Sequence, residues 1–461
     1  MKISITQIGT DFINKLIEYF SGARDTLTIS QLEQDLPSLI QEAARNLISL
    51  YYEEVDAQLL ADKAGRRDAG YAVERRGEQR RVLTTIGELC FSRTYYAHRG
   101  GEYAHLLDMA AGLEGYARVS EGVSVALAGA ACEMSYAKSS EYETDGAVSR
   151  QTVMNQVRKC SAVRPPGLPE KRRVAVLHID ADEDHVTMCG GKKSIVPLIS
   201  VYEGVGRNGK RGVCTNVFHI SEYGKSPEDL WEQVLTEVES RYDLEGTQVY
   251  LHGDGAAWIK QGLEWFPGAI YVLDKYHKNK AITAMIAGLD KDTRKFYDEQ
   301  IRYALANKDS RFLFELSDNL ISQHPNREAT IRKASDYLAN HIADVSICNE
   351  DPEANNGGCT EPHVSHVLSS RLSNRPLAWS AETLRKLAPM LANGGDVEPR
   401  RHAAQPQERI IARATRAARK KIKKIQFAPD PDSIDTFRHR NTGKVTQLYR
   451  TLHSISQNKP F

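Results

Sequence analysis

Carboxylates stand at three separated points of this chain where hard-cation chemistry would need them. The first set lies in His178-Ile179-Asp180-Ala181-Asp182-Glu183-Asp184-His185-Val186, after the apolar run from Val174 to Leu177. Asp254 follows a second apolar run, Val249-Tyr250-Leu251-His252-Gly253. Glu361 opens a helical pattern that runs from Thr360 to Leu368. Two carboxylates at strand ends and one on a helix offer only oxygen ligands, which Mg²⁺ and Mn²⁺ prefer. Two such ions activate a water or a 3′-hydroxyl and stabilise a leaving oxygen, which is phosphodiester chemistry. Asp180, Asp182 and Asp184 share one strand face if the strand continues. Asp182 is preferred as the first ligand, with Asp180 second. Asp274-Lys275-Tyr276-His277 follows a further apolar run, and His277 there would orient the site or help hold nucleic acid. Any one of these acids taken alone reads as a solvated strand-end carboxylate; the set carries the expectation.

The elements around them have to bring distant acids together. Arg173–Asp180, His185–Met188, Ile195–Tyr202 and Val213–Ile220 read as strands, and Ser226–Tyr242 as a helix capped by Ser226. Gln248–Leu251 and Ala269–Leu273 are further strands, with a helical stretch Ala256–Glu264 between them. This is the order of an α/β, ribonuclease H-like core with a mixed sheet: antiparallel strands first, then crossover helices feeding parallel ones. In such a core the first and fourth strands are neighbours at the centre. Asp182 and Asp254 would then meet although 72 positions separate them (254 − 182). Residues 278–345 are almost wholly helical in pattern and form an insertion before Glu361.

Upstream, residues 30–65 read as a long amphipathic helix, with Pro37 near its start. Arg81–Tyr96 reads as a hairpin closed by His98-Arg99-Gly100-Gly101. A short helix at Tyr136–Tyr142, a turn at Thr144–Ala147 and a second helix from Ser149, its N-cap, form a helix-turn-helix. Val153 and Val157 face inward there, and Arg150, Gln151 and Asn155 face out, as on a helix that reads base edges in the major groove. Many helical hairpins share this layout without touching DNA. A proline-rich linker, Ala162–Pro169, separates this mostly helical DNA-binding region from the core.

The whole chain of 461 residues carries a formal charge of only +1, so its distribution matters more than its sum. Between Arg400 and Lys424 ten cations face Glu408 alone, a local charge of +9 (10 − 1). Arg413, Arg416, Arg419, Lys420 and Lys421 are the expected phosphate contacts within that run. No apolar stretch is long enough to cross a membrane, and Met1–Thr6 lacks the layout of a secretory signal. The seven cysteines include no CxxC and suit a reducing compartment. Cys348, Cys359, His363 and His366 offer a zinc-like set beside Glu361, against the plainer reading of buried thiols and two helix histidines.

Taken together, the acid cluster, the Gly253-Asp254-Gly255 turn, Asp274-x-x-His277, the helical insertion and the late Glu361 resemble Mutator-type DDE transposases. Asp182-Glu183-Asp184-His185-Val186 and Gly358-Cys359-Thr360-Glu361-Pro362-His363-Val364-Ser365-His366-Val367-Leu368 resemble the ISLre-type bacterial insertion-sequence transposases within that superfamily. The resemblance spans about residues 30–390. It implies a catalytic triad at Asp182, Asp254 and Glu361, with His277 as the histidine of the Asp/Cys-x-x-His step. It also implies two Mg²⁺ or Mn²⁺ ions and double-stranded DNA partners, namely terminal inverted repeats and target DNA. The protein would act as a homo-oligomer on paired ends, in the bacterial cytoplasm and on the nucleoid. Pro362 departs from the small residue expected after the glutamate.

The resulting division is an N-terminal helical region (1–70), a β-hairpin region (71–115) and a helix-turn-helix region (116–161). The catalytic core follows (170–277 and 355–395), interrupted by the helical insertion (278–354), with a basic C-terminal extension (396–461). The expected activity is strand cleavage at an element's ends followed by strand transfer. The competing expectations are a structure-specific nuclease on the same core and a transposase-derived DNA-binding protein that does not cut.

Overall fold

The computed structural model describes residues 5–22, 27–209, 211–356, 359–399 and 409–423. The chain divides into two compact units, Met1–Ser124 with Arg401–Phe461, and Val125–Arg400.

In the first unit, α1 (Ile5–Gly22) precedes α2 (Ile29–Ala61), which Thr28 starts with a reciprocal capping box to Gln31. The short α3 (Lys63–Asp68) leads into a hairpin of β1 (Tyr71–Thr84) and β2 (Gly87–His98), then β3 (Tyr103–Ala104) and α4 (Leu106–Ala111). The hairpin begins ten residues before the expected Arg81 (81 − 71). Its first half carries Glu74, Arg75, Arg76 and Glu78, and these charges hide the strand alternation. Its turn lies at Thr84–Gly87, where Gly87 takes φ +102°, while the expected 98–101 segment turns β2 back onto β3. The C-terminal helix Arg409–Lys423 packs into this unit. Its Ile410, Ile411, Ala414 and Ala418 join Val55, Leu59 and Phe91 in one apolar core.

The unit boundary falls within α5 (Glu121–Glu133); α6 (Tyr136–Thr144), α7 (Arg150–Lys159) and β4 (Cys160–Ala162) follow. The main sheet of the second unit uses β5 (Val176–Thr187), β6 (Lys193–Tyr202), β9 (Phe218–Ile220), β10 (Gln248–Gly253) and β11 (Ile270–Leu273). Its order is β11-β10-β5-β6-β9. β6 runs antiparallel to both β5 and β9, while β10 runs parallel to both β5 and β11. A small ribbon of β7 (Val205–Asn208) and β8 (Arg211–Cys214) precedes β9, where a single strand over 213–220 was expected.

β5 does not end at the acidic cluster. It runs through it to Thr187, because β6 pairs with it along its whole length after a turn at Gly190 and Gly191, both with positive φ. Leu177, Ile179 and Ala181 pack one face of the sheet against Trp231, Val234 and Val238 of α8 (Pro227–Glu239). Short helices α9 (Ala257–Lys260) and α10 (Gly262–Trp265) link β10 to β11. After β11 come α11 (Lys275–Ile286), α12 (Lys291–Ala306), α13 (Ser310–Gln323), α14 (Glu328–Asn340) and α15 (Ile342–Glu350). These helices share a core built on Met285, Ile301, Leu313, Leu320, Ile331 and Leu338. The chain then returns to the sheet through α16 (Thr360–Val364), a π-helical turn at Ser365–Ser369 and α17 (Ser370–Leu372). α18 (Ala381–Ala392) and β12 (Val397–Pro399), which pairs antiparallel with β4, complete the unit.

Candidate active site

Side chains alternate along a strand. With Leu177, Ile179 and Ala181 in the core, His178, Asp180, Asp182 and Asp184 emerge on the opposite face of β5, and all four are buried. A buried carboxylate needs donors. Asp180 receives the Tyr202 hydroxyl (2.9 Å) and the Cys359 N–H (2.7 Å), with His363 Nδ1 at 3.6 Å. Asp184 receives the hydroxyls of Ser369 (3.0 Å) and Ser373 (2.7 Å). These two acids therefore tie the α16–α17 segment to β5, and Asp180, the second choice as metal ligand, already holds two donors. Asp182 accepts one backbone N–H, from Glu183 (2.8 Å), and has no side-chain hydrogen-bond donor among the described residues.

Asp254 follows β10, the parallel neighbour of β5. A Cβ at Gly253 would stand 2.7 Å from Ile259 and 3.2 Å from the Ala181 carbonyl, so a side chain here would push β10 off β5. Gly255 takes φ +97°, and the turn directs the Asp254 carboxylate onto the Ala256 N–H (2.8 Å). Asp274 caps α11, receiving the Tyr276 and His277 N–H groups, and its other oxygen takes the Thr360 hydroxyl (2.6 Å).

These groups lie in one electrostatic neighbourhood. Burial pushes the Asp182 carboxyl up to about 7, and the charges of Asp254 and Glu183 add to the rise against the Glu183 N–H and His277. Burial alone would lower His277. The hydrogen bond that His277 donates to Asp274 and the charges of Asp182, Asp274 and Asp254 outweigh it and raise its pKa. Asp274 is also desolvated, yet its hydrogen bonds to His277 and Thr360 hold its carboxyl below the ordinary value.

The structure thus brings Asp182, Asp254 and His277 together, with Asp274 beside them. It places Glu361 on α16, which packs against β5 and is tethered by Thr360 and Cys359 on the residues just before it. The Glu361 carboxylate is half-buried and has no hydrogen bond or ion pair among the described residues. Among those residues no three His, Cys, Asp or Glu side chains form a ready metal-holding group. The donor chemistry at the centre nevertheless suits a hard cation: carboxylate oxygens, desolvated, with one acid driven up partly by the other's charge. Asp182 and Asp254 are the residues that could hold a divalent ion, and Glu361 is an oxygen donor on the helix packed against β5.

The zinc-like set does not gather. Cys348 packs among Tyr250, Val272 and Ala354, and His366 is exposed. Cys359 and His363 instead lie with Cys214, whose thiol is 3.5 Å from His363 Nε2. Spacing could not find Cys214, because it comes from the β8 ribbon far earlier in the chain.

On α7, Val153 and Val157 are fully buried, while Arg150, Gln151 and Asn155 are exposed, and Gln151 donates to Asn155 (3.1 Å). Ser149 caps the helix through the Thr152 N–H. In the first unit, Arg416, Arg419 and Lys420 are exposed on the C-terminal helix. Arg413 and Lys421 are also exposed but pair with Asp62 and Glu54, both at 2.8 Å. Arg400, Arg401 and Lys424 of the basic run lie outside the described residues. Tyr337 and His341, which touch the Asp254 turn, gave no signal in the sequence, where they fall inside an ordinary amphipathic helical stretch.

The fold and the site define a mixed α/β protein with an acidic centre buried across two adjacent parallel strands. Residues 22–405 match the profile of UPF0236, an uncharacterised protein family. A UPF0236 protein of Caldanaerobacter subterraneus subsp. tengcongensis is 32% identical over 465 residues, 98% of this chain and 97% of its own length. A second from that organism is 32% identical over 469 residues, 99% of each chain. The UPF0236 protein in the vanSb 3′ region of Streptococcus gallolyticus is 27% identical over 389 residues, 79% of this chain and 83% of its own. The chain belongs to the UPF0236 family. Among the described residues no helix is long and apolar enough to cross a membrane.

Proposed function

We propose that this protein is a DDE transposase of the Mutator-like, ISLre type, built on a ribonuclease H-like core, which cuts and joins DNA at the ends of an insertion sequence. One observation carries the reading. Asp182 and Asp254, 72 positions apart (254 − 182), come from adjacent parallel strands and sense each other's charge at a buried centre, with the helix of Glu361 packed on the same strand. The sheet order β11-β10-β5-β6-β9, with an antiparallel trio followed by parallel strands, supports the assignment of the core. One Caldanaerobacter relative is named with eleven designations, and many copies in one genome are what a self-moving element leaves behind.

Asp182, Asp254 and Glu361 would hold Mg²⁺ or Mn²⁺, which supplies Lewis-acid activation of the attacking oxygen and neutralises charge at the phosphate. The chain's own residues prepare that centre. Asp274 fixes His277 beside Asp182, and the raised pKa keeps the imidazole available as a cation or proton donor near the scissile phosphate. Asp180 and Asp184 hold the returning segment against β5. Arg150, Gln151 and Asn155 form the reading surface of a helix-turn-helix, α6–α7, for the terminal inverted repeats. Arg416, Arg419 and Lys420, with Arg413 and Lys421 beside them, add phosphate affinity. The active form is a homo-oligomer on paired ends, working on DNA in the cytoplasm.

The test uses the purified chain, Mg²⁺ and labelled duplexes carrying the DNA ends that flank its coding sequence. Wild type is expected to nick at the end and join the exposed 3′-hydroxyl to target DNA. Asp254→Asn is expected to lose cleavage while end binding stays within a few-fold. Cutting regardless of sequence would instead indicate a nuclease, and binding without cutting by wild type a DNA-binding protein. Equal cleavage by the variant refutes the site.

A further inference from the structure

We propose that Tyr337, on the helical insertion, is the positioning residue for Asp254. The inference rests on the reading of Asp182 and Asp254 as a cation-holding pair. The Tyr337 hydroxyl donates to the Asp254 carbonyl at 2.6 Å, across 83 positions of sequence. It fixes the backbone of the very residue whose carboxylate must meet a neighbour on another strand. Behind Tyr337, one helical turn on, the His341 ring lies 5.1 Å from the tyrosine ring. His341 presses on the turn's next residue: a Cβ at Gly255 would stand 2.4 Å from the imidazole. Asp344 holds that imidazole through Nδ1 (2.9 Å) and is itself held by Lys260 (3.1 Å), which extends over the Tyr271 ring.

The turn is therefore gripped on two consecutive residues from one helix end. The grip is rigid because α14 is anchored by Ile331 and Leu338, both fully buried in the insertion's own core. The half-buried phenol also lies within electrostatic reach of Asp254, Asp274 and Asp182. The five-helix segment between β11 and α16 thus has a function at the centre. It sets the backbone angle from which Asp254 approaches Asp182. Outer partners that orient a ligand commonly weigh about tenfold or more in metal affinity.

The experiment compares the full-length wild type with Tyr337→Phe, His341→Gln and Asp254→Asn. Mn²⁺ binding is titrated by electron paramagnetic resonance on folded protein, well below each melting midpoint. Cleavage kinetics are measured on the same preparations. Tyr337→Phe is expected to weaken Mn²⁺ binding by about tenfold and to lower kcat with KM for DNA unchanged. Excess Mn²⁺ should restore most of that kcat. His341→Gln leaves the phenol in place and should give a smaller loss of the same kind. Wild-type Mn²⁺ affinity in Tyr337→Phe overturns the inference, as does a kcat loss that excess Mn²⁺ does not restore. If Asp254→Asn also binds Mn²⁺ like wild type, the cation site itself is wrong. If only Asp254→Asn fails, the site stands and Tyr337 is not its positioning residue.

Discussion

Asparagine in place of Asp182 should make this protein more stable while removing its proposed cation site. The Asp182 carboxylate is buried, near Asp254, and receives one backbone N–H. Its pKa rises from 3.8 to about 7. A rise of about three units corresponds to about 4 kcal/mol of penalty on the charged native state, as a ceiling. Relaxation and water entry reduce such penalties, so about 1–3 kcal/mol is expected in practice. The direction with pH follows from linkage. Well below pH 4, the carboxyl is protonated in both states and costs nothing. Between about 4 and 7 the unfolded chain gives up its proton first, and the native state loses stability relative to it. Above about 7 the full cost is present. Asparagine keeps an oxygen for the Glu183 N–H but carries no charge. The melting midpoint of Asp182→Asn should therefore match wild type well below pH 4, exceed it increasingly between about pH 4 and 7, and keep a level gap above that. Mg²⁺ should narrow the gap from the wild-type side, since a ligand at a hundredfold its Kd adds about 2.7 kcal/mol to the form that binds it. Thermal unfolding across this pH range, with and without Mg²⁺, is the assay. A variant less stable than wild type at pH 8, or a gap that ignores pH, would refute the picture of a repelling, desolvated acid pair.

Two further outcomes are expected. Replacing Arg150 and Gln151 together by alanine should reduce preference for the cognate end in competition against random DNA, because a bidentate base contact carries about 1–3 kcal/mol of discrimination; unchanged discrimination would exclude α7 as the reader. The buried His178, 3.1 Å from His252 and stacked between Tyr202 and Tyr250, is pushed down to about 4 by burial and by His252, and His252 is itself lowered by burial. Such groups fold neutral, so their stability is complete above about pH 6.5 and is lost as pH falls toward about 4. In the Asp182→Asn background, where the opposing acid is gone, melting should fall over that window, and His178→Gln should flatten the slope; a midpoint constant from pH 6.5 to 4.5 would remove the histidine pair as its cause.

The elements that carry the candidate site were legible because strands and helix caps follow from local pattern. Apolar runs flanked by acids marked β5 and β10, and the Ser226 cap and Glu-rich periodicity marked α8. Ser149 marked α7 in the same way, since capping is a contact between residues three apart. Two readings failed for reasons of scale. The acid cluster looked like a strand end because charges interrupt apolar runs, yet β6 pairs through it, Tyr202 donates to Asp180, and Ser369 and Ser373 donate to one oxygen of Asp184. The zinc-like spacing looked local, but Cys348 faces an apolar cluster and Cys214 comes in from the ribbon.

The sequence by itself determined the residue types, the caps, the alternation that puts Asp180, Asp182 and Asp184 on one face, and the amphipathic stripe of the C-terminal helix. Tertiary structure alone decided which of those three acids remains open to Asp254, that the basic helix buries its stripe beside Val55 and Leu59, and that Tyr337 holds the Asp254 turn. The reason is physical. Hydrogen bonds and periodicity within an element are written in neighbouring residues, whereas burial and charge coupling arise between segments that only the fold brings into contact.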